Sequence, residues 1–69
     1  MLKIERNKLE LAMARACMNS EDLQRAAQLP RPTLNNAITG RSVSPRTAGR
    51  IAKALGVDVA EIVEISANT

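Results

Sequence analysis

Signals for starting a helix recur so closely in this 69-residue chain that little length is left for any other structure. Asn7, Asn19 and Asp58 each stand three residues before an acid: Glu10, Asp22 and Glu61. A short polar side chain at a helix N-cap accepts a hydrogen bond from the third helical N–H, while an acid at that third position reaches back to the cap. Ser44-Pro45 is a cap followed by proline at the first helical position, where the missing N–H has no intrahelical partner anyway. Pro32 offers the same opening. Stop signals follow. Pro30 disfavours helical backbone at Leu29, and Gly40 and Gly56 are the usual left-handed terminators.

These marks predict five short helices. The first runs from Lys8 to about Cys17 with an inward stripe of Leu9, Ala12, Met13 and Ala16. A second, capped by Asn19, turns Leu23, Ala26 and Ala27 inward. The third spans Pro32 to Thr39. The fourth runs from Pro45 to Leu55 with Ala48, Ile51, Ala52 and Leu55 inside, and Gly49 sits unexplained within it. The fifth follows Asp58, carries Ile62 and Val63, and lets Val57 staple against Ile62. Residues 1–6 and 66–69 read as extended or frayed. The expectation is one all-α domain over residues 1–69, a compact five-helix bundle whose second and third helices, about 20–39, form a helix-turn-helix. Short connections and local contacts suit a chain that buries only about 60% of the surface its unfolded form exposes.

Composition removes whole classes of function. The chain has no Phe, Tyr, Trp or His and one cysteine, Cys17. No internal disulfide, common zinc site, Ser-His-Asp triad or Cys-His pair can be built. With no glycine-rich phosphate loop either, the expectation is no enzyme, no cofactor and no metal. Without aromatic rings to stack bases, single-strand binders of the OB or RRM kind are disfavoured. The core must come from Leu, Ile, Val, Met and Ala, with Met13 and Met18 as filler and Cys17 as a buried small hydrophobe. No run approaches a membrane span, and MLKIERNK lacks a signal peptide's apolar stretch. A lone cysteine fits a cytoplasmic protein, and the expectation is no membrane partner and no small-molecule ligand.

Net charge is +3, but it is unevenly placed. Residues 1–22 are neutral, with Arg15 expected to flank Glu10 and Glu21. Residues 23–57 carry Arg25, Arg31, Arg41, Arg46, Arg50 and Lys53 with no acid, whereas Asp58, Glu61 and Glu64 leave the C-terminal segment acidic. A block rich in guanidinium forks points to a polyanion or, equally, to a solvated surface.

The third helix bears on the choice. At about 100° per residue, Leu34, Ala37 and Ile38 share the core side. Pro32, Asn36 and Thr39 stand opposite, flanked by Thr33 and Asn35. A merely solvated helix is normally dominated by Glu and Lys. This face is uncharged and rich in amide and hydroxyl groups, which suits a major-groove helix as well as a polar surface one: Asn pairs with adenine N6 and N7, Thr offers a methyl to thymine, and an acid there would repel phosphates.

The run SEDLQRAAQLPRPTLNNAITGR resembles the helix-turn-helix of Cro/repressor-type (xenobiotic-response-element, lambda-repressor-like) DNA-binding domains, and LNNAITGR is similar to the recognition helix of Cro-type members. SPRTAGRIAKALGVDVAEIV is similar to the fourth and fifth helices of short bacterial and prophage regulators of this family. The resemblance covers about Asn7 to Glu64 and implies binding of operator DNA, usually as a dimer. By position it implies that Ser20 touches backbone or base, that Pro30, Arg31, Pro32, Asn35, Asn36 and Thr39 are turn and recognition positions, and that Arg41 contacts a phosphate. The residues' own chemistry adds Thr33 at base edges, Ser42 and Arg46 at phosphates with Ser20 and Arg41, and Arg31 on a guanine or a phosphate. Two positions depart from the family. Where it favours glycine in the turn stands Gln28, which either takes left-handed backbone or belongs to a turn built differently. Where it favours a small residue stands Gln24, which needs an edge location.

The expected function is therefore a sequence-specific regulator of transcription, a repressor that reads double-stranded DNA with helix 32–39. A homodimer through the C-terminal element (Val59, Ile62, Val63, Ile65) is one expectation for that element, and closure of the core is the other. The rival function is a protein-interaction module on the same scaffold, an antitoxin or antirepressor with weak DNA binding. Arg25, Arg50 and Lys53 are read as solvated.

Overall fold

Backbone groups left over at helix ends dictate where this chain starts and stops its elements. The computed structural model describes residues 2–64. In order these form β1 (Leu2–Lys3), α1 (Arg6–Arg15), α2 (Ser20–Ala27), α3 (Arg31–Ile38), β2 (Ser42–Val43), α4 (Pro45–Leu55) and a 3-10 turn at Val59–Glu61.

Three N-termini follow the sequence signals. Asn19 and Asp22 form a reciprocal capping box, with Asp22 N donating to Asn19 Oδ1 at 2.8 Å and Asn19 N to Asp22 Oδ2 at 3.2 Å. Ser44 Oγ accepts from Thr47 N at 3.2 Å, and Asp58 and Glu61 reproduce the box before the 3-10 turn. The first helix departs from expectation. Asn7 is not its cap. Glu5 is, its carboxylate accepting from Asn7 N at 3.2 Å and Lys8 N at 3.0 Å. A longer acidic side chain thus claims the orphan donors two residues earlier, and Glu10 lies beside Arg6 (3.9 Å) rather than serving a box.

All four helices end alike. At Cys17, Gln28, Gly40 and Gly56 the backbone turns left-handed, with φ of 56°, 55°, 86° and 71°. In each case that residue's N–H donates three residues back while the next N–H reaches five back, as in Gln28 N to Arg25 O (3.3 Å) and Leu29 N to Gln24 O (3.2 Å). This paired arrangement is the Schellman motif. Cys17 is exposed, not buried, because its place at this terminus turns it out of the α1 stripe.

The expected fifth helix is a single 3-10 turn, so the fold has four α-helices with a small strand pair among the described residues. The reason lies at the other end of the chain. Leu2 pairs with Val43 and Lys3 with Ser42, antiparallel. Ile4 bridges Val63, Glu5 N donates to Ile62 O at 2.8 Å, and Glu64 N donates to Lys3 O at 2.7 Å. The helix cannot continue past Val63 because Glu64's single N–H is committed to Lys3 O, and Ile62's carbonyl accepts from Glu5. Residues 66–69 lie outside the described residues.

One large aliphatic from each helix (Leu9, Leu23, Leu34, Ile51) converges with Ile62 at the centre, all below 2% exposure. The expected inward stripe of α4 is buried throughout, while Ala26 of α2 is exposed. Met13, Met18, Ile38 and Val57 pack partly buried around this core. Ile62 and Val63 are buried within it, as the core-closure reading of that element expected. Val59 is half-buried, and Ile65 lies outside the described residues.

Candidate nucleic-acid interface

The outward side of α3 is set by how that helix is held, and four features hold it. Pro30, with φ −62° and ψ 148°, serves as N-cap without a side-chain bond, and Pro32 follows at the second helical position. The helix therefore begins at Arg31, one residue before the sequence-based start, and Thr39 is its C-cap. Leu34 and Ala37 are fully buried and fix its rotation. The left-handed Gln28 turns α2 into α3, and Arg50 of α4 donates through Nη1 to the Gln28 carbonyl at 3.3 Å. Finally, Arg31 Nη1 donates to Gln24 Oε1 at 3.2 Å, joining α3 to α2.

With the core side fixed, Arg31, Pro32, Asn35, Asn36 and Thr39 are exposed on α3, and Thr33 is half-buried. No hydrogen bond among the described residues claims the Asn35 or Asn36 carboxamide. Thr39 differs. Its hydroxyl donates back to Asn35 O at 2.8 Å, with Asn36 O at 3.2 Å. Its one proton is engaged, so it presents a methyl and an oxygen acceptor outward.

The residues expected at phosphates fall at three places around α3. Ser20 is half-buried at the first position of α2, beside Glu21 and Asp22. Those two carboxylates offset the positive end of that helix dipole, so α2's start attracts an anion less than α4's does. The first turn of α4 has no acid and carries exposed Arg46. Leu29, Pro30, Thr33, Arg46, Thr47 and Arg50 line a cleft of about 370 Å³ between the starts of α3 and α4. Gly40 redirects the chain so that Arg41 and Ser42 are exposed on the way into β2.

Among the described residues, none of the six cations in 23–57 pairs with an acid. The two ion pairs are Arg6–Glu10 and Arg15–Glu61, the latter at 3.8 Å. Arg15 thus meets Glu61 rather than Glu10 and Glu21. The sequence reading missed two supports of the site, Gln24 and Arg50. Their partners lie seven and 22 residues away across turns, and no local pattern announces such contacts.

Comparison with known proteins gives the family and the fold. A family model described as the Cro/C1-type HTH DNA-binding domain matches residues 8–68. The solved structure of transcriptional regulator VanUg has a similar fold, with a TM-score of 0.78 at 22% identity, covering 91% of this chain and 84% of that one. No curated protein matches in sequence. By its helix-turn-helix and by the family match over most of its length, the chain belongs to the Cro/C1-type HTH DNA-binding domains.

Proposed function

We propose that this chain is a sequence-specific regulator of transcription, a repressor, that sets α3 in the major groove of double-stranded operator DNA. The observation that carries the reading is the outward side of α3. It is acid-free, its two carboxamides are uncommitted, and buried Leu34 and Ala37 fix its orientation. Asn36 and Asn35 read adenine, Thr39 and Thr33 meet base edges beside Pro32, and Arg31 lies at the helix start. Arg41, Ser42, Arg46 and Ser20 position the phosphates. A single module makes few contacts, so high specificity calls for two copies on half-sites roughly 34 Å apart. The reading is of a cytoplasmic, nucleoid-associated binding protein without catalytic chemistry. No helix among the described residues is long and apolar enough to cross a membrane.

Fluorescence anisotropy on a duplex from upstream of the chain's own gene, against a scrambled duplex and across a salt series, tests it. The expected result is selective binding that weakens with salt by about 0.9 log units per phosphate contact. Asn36→Ala should lose roughly 1–3 kcal/mol of specific binding with melting unchanged. Equal, weak, salt-sensitive binding to both duplexes, with a protein partner recovered from the native lysate, would instead support the interaction module.

A further inference from the structure

The Gln24–Arg31 contact joins a residue by which this helix-turn-helix departs from its family to the first residue of α3. Gln24 occupies an α2 position that resembles one usually held by a small residue. It lies half-buried at the edge of α2, and its Oε1 sits 3.2 Å from Nη1 of exposed Arg31. Arginine has no acceptor, so the amide must present its oxygen here. A guanidinium is a rigid plane with five donors. With one anchored, the swing of the group is restrained before any partner arrives and four N–H groups stay available.

A phosphate needs no such orientation, because its oxygens accept from many directions and a freely swinging cation serves it. The O6 and N7 of guanine lie in one plane and need two N–H groups aimed together. Arg31 is also the first residue of α3, and the N-terminal residues of a recognition helix are those that reach base edges. We infer that Gln24 is a positioning residue that holds the Arg31 guanidinium to read one guanine, making a G·C pair at that step a specificity determinant of the target. This rests on the sequence-reading function proposed above and adds a base identity and a residue to it.

The test begins with selection of preferred duplexes by the wild-type chain from a randomised pool. Each guanine of the selected site is then replaced by 7-deazaguanine, which lacks the N7 acceptor. One position is expected to weaken binding several-fold, with the roughly 5- to 150-fold range for a whole bidentate contact as the upper bound because O6 remains. Arg31→Ala abolishes that position's penalty. Gln24→Met, similar in length but without an acceptor, lowers it at least about threefold, with the salt slope and melting temperature unchanged. Gln24→Glu, which keeps an acceptor, preserves the penalty even as affinity falls for every duplex. A full penalty in Gln24→Met overturns the positioning role. An Arg31→Ala variant that loses affinity equally for all duplexes, with a shallower salt slope, makes Arg31 a phosphate contact and overturns the guanine assignment. A selected site with no sensitive guanine overturns this inference alone, whereas enrichment of no sequence at all overturns it together with the proposed function.

Discussion

Cys17 and Gln28 hold left-handed backbone with a Cβ in place, at φ 56° and 55°. For an L-residue that conformation costs about 1–2 kcal/mol, and the Schellman hydrogen bonds of α1 and α2 hold it there. Glycine removes the strain and gives back part of the gain through its greater freedom in the unfolded chain, about 0.5–1 kcal/mol. Gln28→Gly and Cys17→Gly should each therefore raise stability by about 0.5–1 kcal/mol, or roughly 2–8 °C in melting temperature. Thermal melting followed by circular dichroism checks both, and a fall in either variant would mean that the side chain contributes more than the strain costs. Thr39 makes the same point about a site residue. Its composition allowed donor or acceptor behaviour toward a base, and the back-bond to Asn35 O removes the donor.

At the scale of elements, α4 does two things, closing the core with Ala48, Ile51, Ala52 and Leu55 and bracing the turn through Arg50. Its glycine serves neither. A Cβ placed on Gly49 meets nothing within 4 Å, and the residue is exposed at ordinary helical backbone. No close helix approach requires it. Gly49→Ala should therefore stabilise the chain by about 0.8–1 kcal/mol, the helix-propensity difference, as read from a shifted urea midpoint at unchanged slope. If duplex affinity falls in that stabilised variant, close approach of the DNA backbone is what keeps glycine there. The α2 helix shows the opposite economy, with its cap, its left-handed end and Gln24 all placed by one eight-residue segment.

For the whole molecule, the N-terminal arm is the joint between distant parts of the chain. Leu2 and Lys3 pair with β2, while Ile4 and Glu5 tie down residues 62 and 63. Ile4 itself is only 2% exposed. Ile4→Ala should cost about 2–5 kcal/mol, a large share of the roughly 3–10 kcal/mol expected of a chain this size. The melting temperature should drop by more than about 8 °C. A drop of only a degree or two would mean that the arm is dispensable and that α4 alone retains Ile62.

The sequence by itself determined what local chemistry controls: the α2 and α4 caps, the glycine ends of α3 and α4, the inward stripe of α4, and the acid-free outward side of α3. Each rests on groups within about one helical turn of each other. Tertiary structure alone decided what needs a distant partner. The arm's ladder to residues 62–64 reduced the expected fifth helix to one 3-10 turn and placed Ile62 and Val63 in the core. Gln28's carbonyl found Arg50, and Arg31 found Gln24. A hydrogen bond across a turn depends on where the core places two elements, and that placement is a property of the packed molecule rather than of any short stretch of chain.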